Sequence, residues 1–327
     1  MPIRRSRVAG VACFAVALAT LRLEAQVTRI SASRVAEIVG VLADDSMRGR
    51  ATPSRELEQA AIWVAEAFRR ADLRPAGDLG GFLQRYPLGG DTTAPNVVAV
   101  LPGRDAGLAG EHVMVVAHVD HVGVGRPVDG DAIYNGADDN ASGTAGLLAL
   151  AEALATMSPR PRRSVLFLVT SGEERGLLGA RWFAEHPAVS LDSVVALINL
   201  DMIGRNRPDS VFLNGWGKSE VAGEVVRQSR HHPELGLAVG PDIEDRPLTP
   251  ADSDHWPFQR RSIPYAFFYT GVHPDYHRPG DAPVRLDADK ASRVARLAGY
   301  TVVALADAEA RPRWDKAARR LNVSDDR

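Results

Sequence analysis

The imidazoles and carboxylates that could do chemistry in this chain stand at the ends of apolar runs. Residues 113–117, VMVVA, end in His118-Val119-Asp120-His121, and the acidic stretch Ala137-Asp138-Asp139-Asn140 follows Gly136. Residues 165–169, VLFLV, end in Thr170-Ser171-Gly172-Glu173-Glu174. Residues 194–198, VVALI, end at Asn199-Leu200-Asp201, and residues 265–269, YAFFY, are followed by His277. Imidazole and carboxylate are donor types for zinc. Two divalent ions about 3.5 to 4 Å apart, sharing a carboxylate, can activate a water for attack on a carbonyl. The chemistry these residues point to is two-metal hydrolysis.

Such chemistry needs elements that bring distant residues together. Short continuous apolar runs are the pattern of parallel strands covered on both faces. In an open α/β sheet, ligands gather beyond the carboxyl ends of the strands, so four such strands can deliver His118, Glu173, Glu174, Asp201 and His277 to one edge. The expected fold is α/β: a mixed, largely parallel central sheet with helices on both faces. Residues 31–42 carry Val35, Ile38, Val39 and Leu42 at helical spacing. Thr52 is placed to cap a second helix with Pro53 at its first position, and Leu57, Ala61, Val64 and Phe68 then line one face. Residues 82–88 and 97–101 read as early strands and 211–213 as a short one. Residues 142–154, rich in Ala and Leu all round, suit a helix buried against the sheet. Residues 219–231 form a surface helix with Val221, Val225 and Val226 inward, and residues 291–308 a closing helix.

The motifs HVDH, NGADDNASG, SGEERGLLG, NLDMIG, SDHWPF and DYHRPGD, in this order, resemble the M28 family of zinc-dependent peptidases. The segment DDSMRGRATPSRELEQAAIWVAEAFRRADLRPAG and the NVVAVLPG strand extend the resemblance over nearly the whole mature chain. The resemblance implies a zinc-dependent exopeptidase fold, two Zn²⁺ per chain, and an aminopeptidase that acts on peptides with a free N-terminus. It gives the bridging carboxylate to Asp139, one ion to His118 and Asp201, and the other to Glu174 and His277. It gives Glu173 the role of general base on a metal-bridging water, and it implies a cis peptide between Asp139 and Asn140. Three carboxylates and two imidazoles nearly neutralise two Zn²⁺ ions and leave room for that water. Adjacent residues of an extended loop point in different directions, so Glu174 can hold metal while Glu173 reaches the water.

Around these ligands stand further candidates, with His121, Asp254, His255 and His273 the weaker ones. Asp120, two residues past His118, is expected to fix that imidazole through its other nitrogen, with a loop Asp making a turn as the alternative. SDHWPF resembles the part of the family that lines the substrate pocket, so Asp254 or His255 would contact substrate; a helix cap and a half-buried histidine is the equal alternative. Tyr276 is a candidate donor to a tetrahedral oxyanion, or else a packed aromatic. His273 is separated from His277 by Pro274, which argues against a helical metal pair, so His277 alone is the expected ligand. Carboxypeptidase or dipeptidase action on a related site is the alternative activity, with Arg205, Arg207 or Arg278 as the carboxylate clamp. A non-catalytic, receptor-like binding protein on the same fold would have lost ligands, and none of these positions is missing.

Residues 1–25 read as a signal peptide: Arg4, Arg5 and Arg7 precede an apolar stretch over 8–21, and Leu23-Glu24-Ala25 is an acceptable cleavage site. An apolar core of about 14 residues is too short to span a bilayer comfortably. Residues 26–310 then form a single peptidase domain, and 311–327 a charged, loosely held tail. The sole cysteine, Cys13, lies in the leader, so the mature chain has no disulfide and no thiol nucleophile. Losing residues 1–25 removes four Arg and one Glu and takes the formal charge from −2 to −5. A mildly acidic chain carries no electrostatic footprint for nucleic acid. The expected location is secreted or periplasmic, with no stable membrane association after cleavage.

Overall fold

The computed structural model describes residues 26–241 and 253–314; the expected signal peptide and the tail beyond 314 fall outside them. Helix α1 (Ala32–Leu42) starts where Ser31 accepts the N–H of Arg34 and buries the expected apolar face. Helix α2 (Arg55–Arg70) begins at Arg55 rather than Pro53, because Ser54, not Thr52, accepts the N–H of Leu57 and caps it. Thr52 is engaged elsewhere: its hydroxyl donates to Asp120 at 3.0 Å and accepts the N–H of Gly172 at 3.1 Å.

A short β1 (Arg74–Pro75) and the longer β2 (Leu83–Gly89) both pair antiparallel with β3 (Thr92–Leu101). Strand β4 (His112–His118) runs into a hairpin, β5 (Gly123–Val128) and β6 (Asp131–Tyr134), and the chain then enters the tight turn Ala137–Ser142. Helix α3 (Gly143–Ala155), β7 (Ser164–Thr170), α4 (Leu178–Glu185) and β8 (Val194–Leu200) follow. The remainder is β9 (Ser210–Asn214), α5 (Glu220–His231), β10 (Ala238–Pro241), α6 (Trp256–Gln259), β11 (Tyr265–Tyr269) and α7 (Ala288–Asp307).

The main sheet has the order β1-β3-β7-β4-β8-β11-β9-β10, with β2 also on β3. Its centre, β7-β4-β8-β11, is wholly parallel, and antiparallel pairs flank it on both sides. This is the mixed, largely parallel sheet expected. Side chains alternate across it as the pleat requires. Val113, Val115 and Ala117 of β4 pack with residues of α1, α2, α3, α5 and α7, whereas Met114 and Val116 pack with residues of α4 and α6 on the other face. Both faces are covered, which is why these strands are apolar throughout. Truncating one such residue, the fully buried Phe167, to Ala would cost about 3–5 kcal/mol.

In α5, Val221, Ala222 and Val225 are the buried residues, while Val226 is half-buried. The first residues of the expected loose tail are held. Arg313 pairs with Glu220, and the buried Trp314 donates its indole N–H to the carbonyl of Ser262.

Candidate metal centre

The four parallel strands end together. His118 is in register with Thr170, and Leu200 with Phe268, so the loops that follow β4, β7, β8 and β11 open at one edge of the sheet. The turn Ala137–Ser142 enters the same space ahead of α3, with a cis peptide between Asp139 and Asn140. Asn140 ties that turn to the end of β8: its amide donates to Leu200 O and its carbonyl accepts from Gly143 and Met202.

His118, Asp139, Glu173, Glu174, Asp201 and His277 converge there. His118 Nε2 is 3.3 Å from Asp201 Oδ1, 3.4 Å from Asp139 Oδ1 and 4.0 Å from Glu173 Oε2. His277 Nε2 is 3.1 Å from Asp139 Oδ2 and 3.0 Å from Glu174 Oε2. The two oxygens of Asp139 thus face two different imidazoles. His121 joins the second group, with Nδ1 2.8 Å from Glu174 Oε1 and 3.7 Å from Asp139 Oδ2. Two sets of donors result: His121, Asp139, Glu174 and His277; and His118, Glu173 and Asp201.

The electrostatics are those of a place made for cations. Burial lowers the basicity of His118, yet the charges of Asp201, Glu173 and Asp139 carry its pKa well above the ordinary value. His277 behaves alike: burial pulls it down, but Asp139 and Glu174 hold it up at about 10. Its Nε2 makes no properly directed hydrogen bond and aims between those two carboxylates. Burial pushes Asp139 up to about 6, with the Glu174 charge adding to the rise. The two adjacent glutamates diverge. Burial raises Glu173 well above the carboxylate range, with His118 opposing and Asp201, Asp254 and Glu174 reinforcing. Burial would raise Glu174 too, but His121 and His277 bring it far below its ordinary value. Converging imidazole nitrogens and carboxylate oxygens a few ångströms apart, with surplus negative charge, fit zinc.

A buried frame holds the donors. Ser253 donates to Asp201 Oδ2 at 2.7 Å, and Asn199 donates to Ser253. Asp281 accepts the backbone N–H groups of Asp138 and Asp139. Arg50 donates to the carbonyls of Leu42, Val119, Asn135 and Gly136. Sequence reasoning passed over Asp281, Arg50 and Ser253. Asp281 stands in DYHRPGD and Arg50 in DDSMRGR, but neither position looks like a donor site.

The remaining candidates lie around this centre. His118 Nδ1 is 3.2 Å from the backbone carbonyl of Asp120, and the Asp120 carboxylate stands 3.8 Å away. The carbonyl is therefore the orienting partner; the carboxylate instead accepts from Thr52 and from the N–H of Glu173. His255 is fully buried, stacked on Tyr265 and Phe267 at 4.6 and 4.9 Å, and burial drops its pKa to about 3, so it offers substrate no surface. Asp254 is also fully buried, accepts from Thr170, and is pushed up to about 7 by burial, with His118 opposing the rise. Tyr276, 37% exposed, stacks on the His277 ring at 3.9 Å. His273 is buried, 3.5 Å from Asp138 and apart from both donor sets.

This sheet, with metal donors at the carboxyl edge of its parallel strands, is of the zinc exopeptidase type. A zinc aminopeptidase from Bacillus subtilis, BSAP, shares the fold: the TM-score is 0.65 at 16% identity, over 84% of this chain and 94% of that one. The chain belongs to peptidase family M28, whose description matches residues 96–302. It is 28% identical over 201 residues to leupeptin-inactivating enzyme 1 of Streptomyces exfoliatus, covering 60% of this chain and 40% of that protein. It is 26% identical over 227 residues to aminopeptidase YwaD of Bacillus subtilis (strain 168), covering 64% and 46%. The matches thus span less than half the length of both relatives.

Proposed function

We propose that the protein is a secreted dizinc aminopeptidase that hydrolyses the first peptide bond of substrates with a free α-amine. The observation that carries this reading is Asp139, with Oδ1 3.4 Å from His118 and Oδ2 3.1 Å from His277, as a carboxylate shared by two ions requires. His118, Asp139 and Asp201 would hold one zinc; Asp139, Glu174 and His277 would hold the other. Zinc bound there supplies a Lewis acid for the scissile carbonyl and lowers the pKa of water.

The remaining work falls to side chains. Glu173 takes a proton from the attacking water at its carboxylate and returns it to the leaving amine. Its carboxylate lies 4.0 Å from His118 whereas that of Glu174 contacts His121 and His277, which supports separate roles for the two neighbours. Tyr276, stacked on His277, donates to the carbonyl oxygen as charge builds on it. Two of the cations that a carboxypeptidase would use as a clamp are engaged: Arg205 with Asp275 at 2.7 Å and Arg207 with Asp209 at 3.3 Å.

The test is a panel of aminoacyl-anilides and their N-acetyl counterparts, before and after chelation. Release from free-amine substrates only, lost with chelator and restored by zinc, is expected. Turnover of blocked substrates, or none from any of the panel, sinks the reading. In the same reading residues 1–25 are cleaved on export, so N-terminal sequencing of protein secreted by a bacterial host should begin at Gln26. Among the described residues no helix is long and apolar enough to cross a membrane.

A further inference from the structure

His121 lies next to a donor set that already has its ligands, and it is placed as if it were one more. Its side chain is buried, and Nδ1 sits 2.8 Å from Glu174 Oε1 and 3.7 Å from Asp139 Oδ2. His277 Nε2 lies 3.1 Å from that same Asp139 oxygen and 3.0 Å from Glu174 Oε2. For zinc bonds of about 2.0 to 2.1 Å in a tetrahedron, neighbouring donor atoms stand about 3.3 Å apart. With His121 measured to one oxygen of Glu174 and His277 to the other, the four separations run from 2.8 to 3.7 Å, and one donor atom from each of the four residues lies within 4.8 Å of the rest. The two rings meet edge to face, with centroids 5.4 Å apart, so the imidazoles approach from different directions. The backbone makes room for this: Gly136 has φ +60, and a Cβ there would lie 2.4 Å from His121 Cγ.

The other set is built differently. His118, Asp139 and Asp201 contribute one donor atom each, because Asp201 Oδ2 is taken by the Ser253 hydroxyl at 2.7 Å. Glu173 Oε2 stands 4.0 Å from His118 Nε2, farther than either Asp139 or Asp201. Structural zinc sites use four protein ligands, whereas catalytic ones keep a position open.

We propose that His121 is a fourth protein ligand of the zinc at Asp139, Glu174 and His277. It closes that site into a tightly retained one and leaves the His118 site as the only open one of the pair. This rests on the two-zinc reading of the centre. A simple hydrogen bond from His121 to Glu174 would account for the 2.8 Å contact, but not for the approach of the same nitrogen to Asp139.

The test counts metal rather than turnover. Zinc-loaded full-length protein is titrated with a competing chelator, and bound zinc is measured in the wild type, H121A and H121N, with circular dichroism as a check on folding. Asn keeps an N–H near the Nδ1 position but is a poor zinc ligand. In the wild type one ion should leave early and the other late. Both variants should lose the late ion with an affinity drop beyond about 100-fold, since losing only an orienting partner costs 10–100-fold. One equivalent of cobalt in the wild type should give the intense visible bands of a four-coordinate ion. That spectrum tests the assignment even where a variant does not fold. Equal release of both ions in the wild type, weak cobalt bands, or wild-type retention by H121N overturns the role of His121 and leaves the two-zinc reading standing. A wild type that binds no zinc overturns both.

Discussion

Asp281 Oδ2 accepts the backbone N–H of Asp139 at 3.0 Å, from a fully buried carboxylate that also takes the N–H of Asp138. The residue whose two oxygens face both donor sets is thus positioned by an acid far along the chain. Substitution D281A should weaken zinc binding by about 10–100-fold, the usual cost of losing an outer partner. Competition with a chelator measures it; unchanged affinity would mean that the turn holds its shape unaided.

Glu173 is proposed to move protons without being needed to hold metal. E173Q should therefore lower kcat by about 10²–10⁴-fold, the range that general acid–base catalysis supplies. Bound zinc and thermal stability should stay near wild type. Elemental analysis alongside kinetics separates the roles, and loss of zinc in E173Q would make Glu173 a ligand.

Without metal, His277 titrates near 10 against 6.5 for a free imidazole, because Asp139 and Glu174 outweigh the effect of burial. Its folded pKa exceeds the unfolded one, so its contribution to stability is fully present below pH 6.5 and lost as pH rises through 10. The melting temperature of the metal-free protein should fall across that window, with a shallower fall in H277Q. His277 is protonated at neutral pH in that state, so zinc uptake must release protons. Calorimetry in two buffers of different ionisation heat reads the number released, and zero would be incompatible with His277 as a ligand.

Arg50 is wholly buried and satisfies four carbonyls from three parts of the chain, and burial lowers its pKa to about 10. R50M should destabilise the fold by about 3–5 kcal/mol, because carbonyls that lose a charged donor are left unpaired. Denaturant unfolding measures this, and a loss below 1 kcal/mol would show that water replaces the guanidinium.

Much of this centre was legible in the chain because two local signals coincide. An unbroken apolar run marks a strand covered on both faces, and a donor residue just past it marks the sheet's carboxyl edge. His118, Glu173, Glu174 and Asp201 stand within five residues of their runs and carry both marks, whereas His277 lies eight residues past Tyr269 and was marked by the DYHRPGD resemblance. Thr52 and His255 misled for the opposite reason. A Thr before Pro has the local form of a helix cap, and Asp-His before Trp-Pro-Phe that of a substrate contact or of a cap with a half-buried histidine. Thr52 is instead bonded to Asp120 and Gly172, and His255 is stacked on Tyr265 and Phe267.

By itself, then, the sequence determined the apolar strands at the centre of the sheet and the donors beyond their ends, since those follow from neighbours a few residues apart, whereas the short strands β1, β5, β6 and β10 carry no such pattern. Tertiary structure alone decided that Asp120 presents its carbonyl to His118, that Asp281 cradles the turn at Asp139, and that the His121 ring faces Glu174. Those outcomes depend on which segments arrive opposite one another when the sheet and its helices close. No short stretch of residues carries that information.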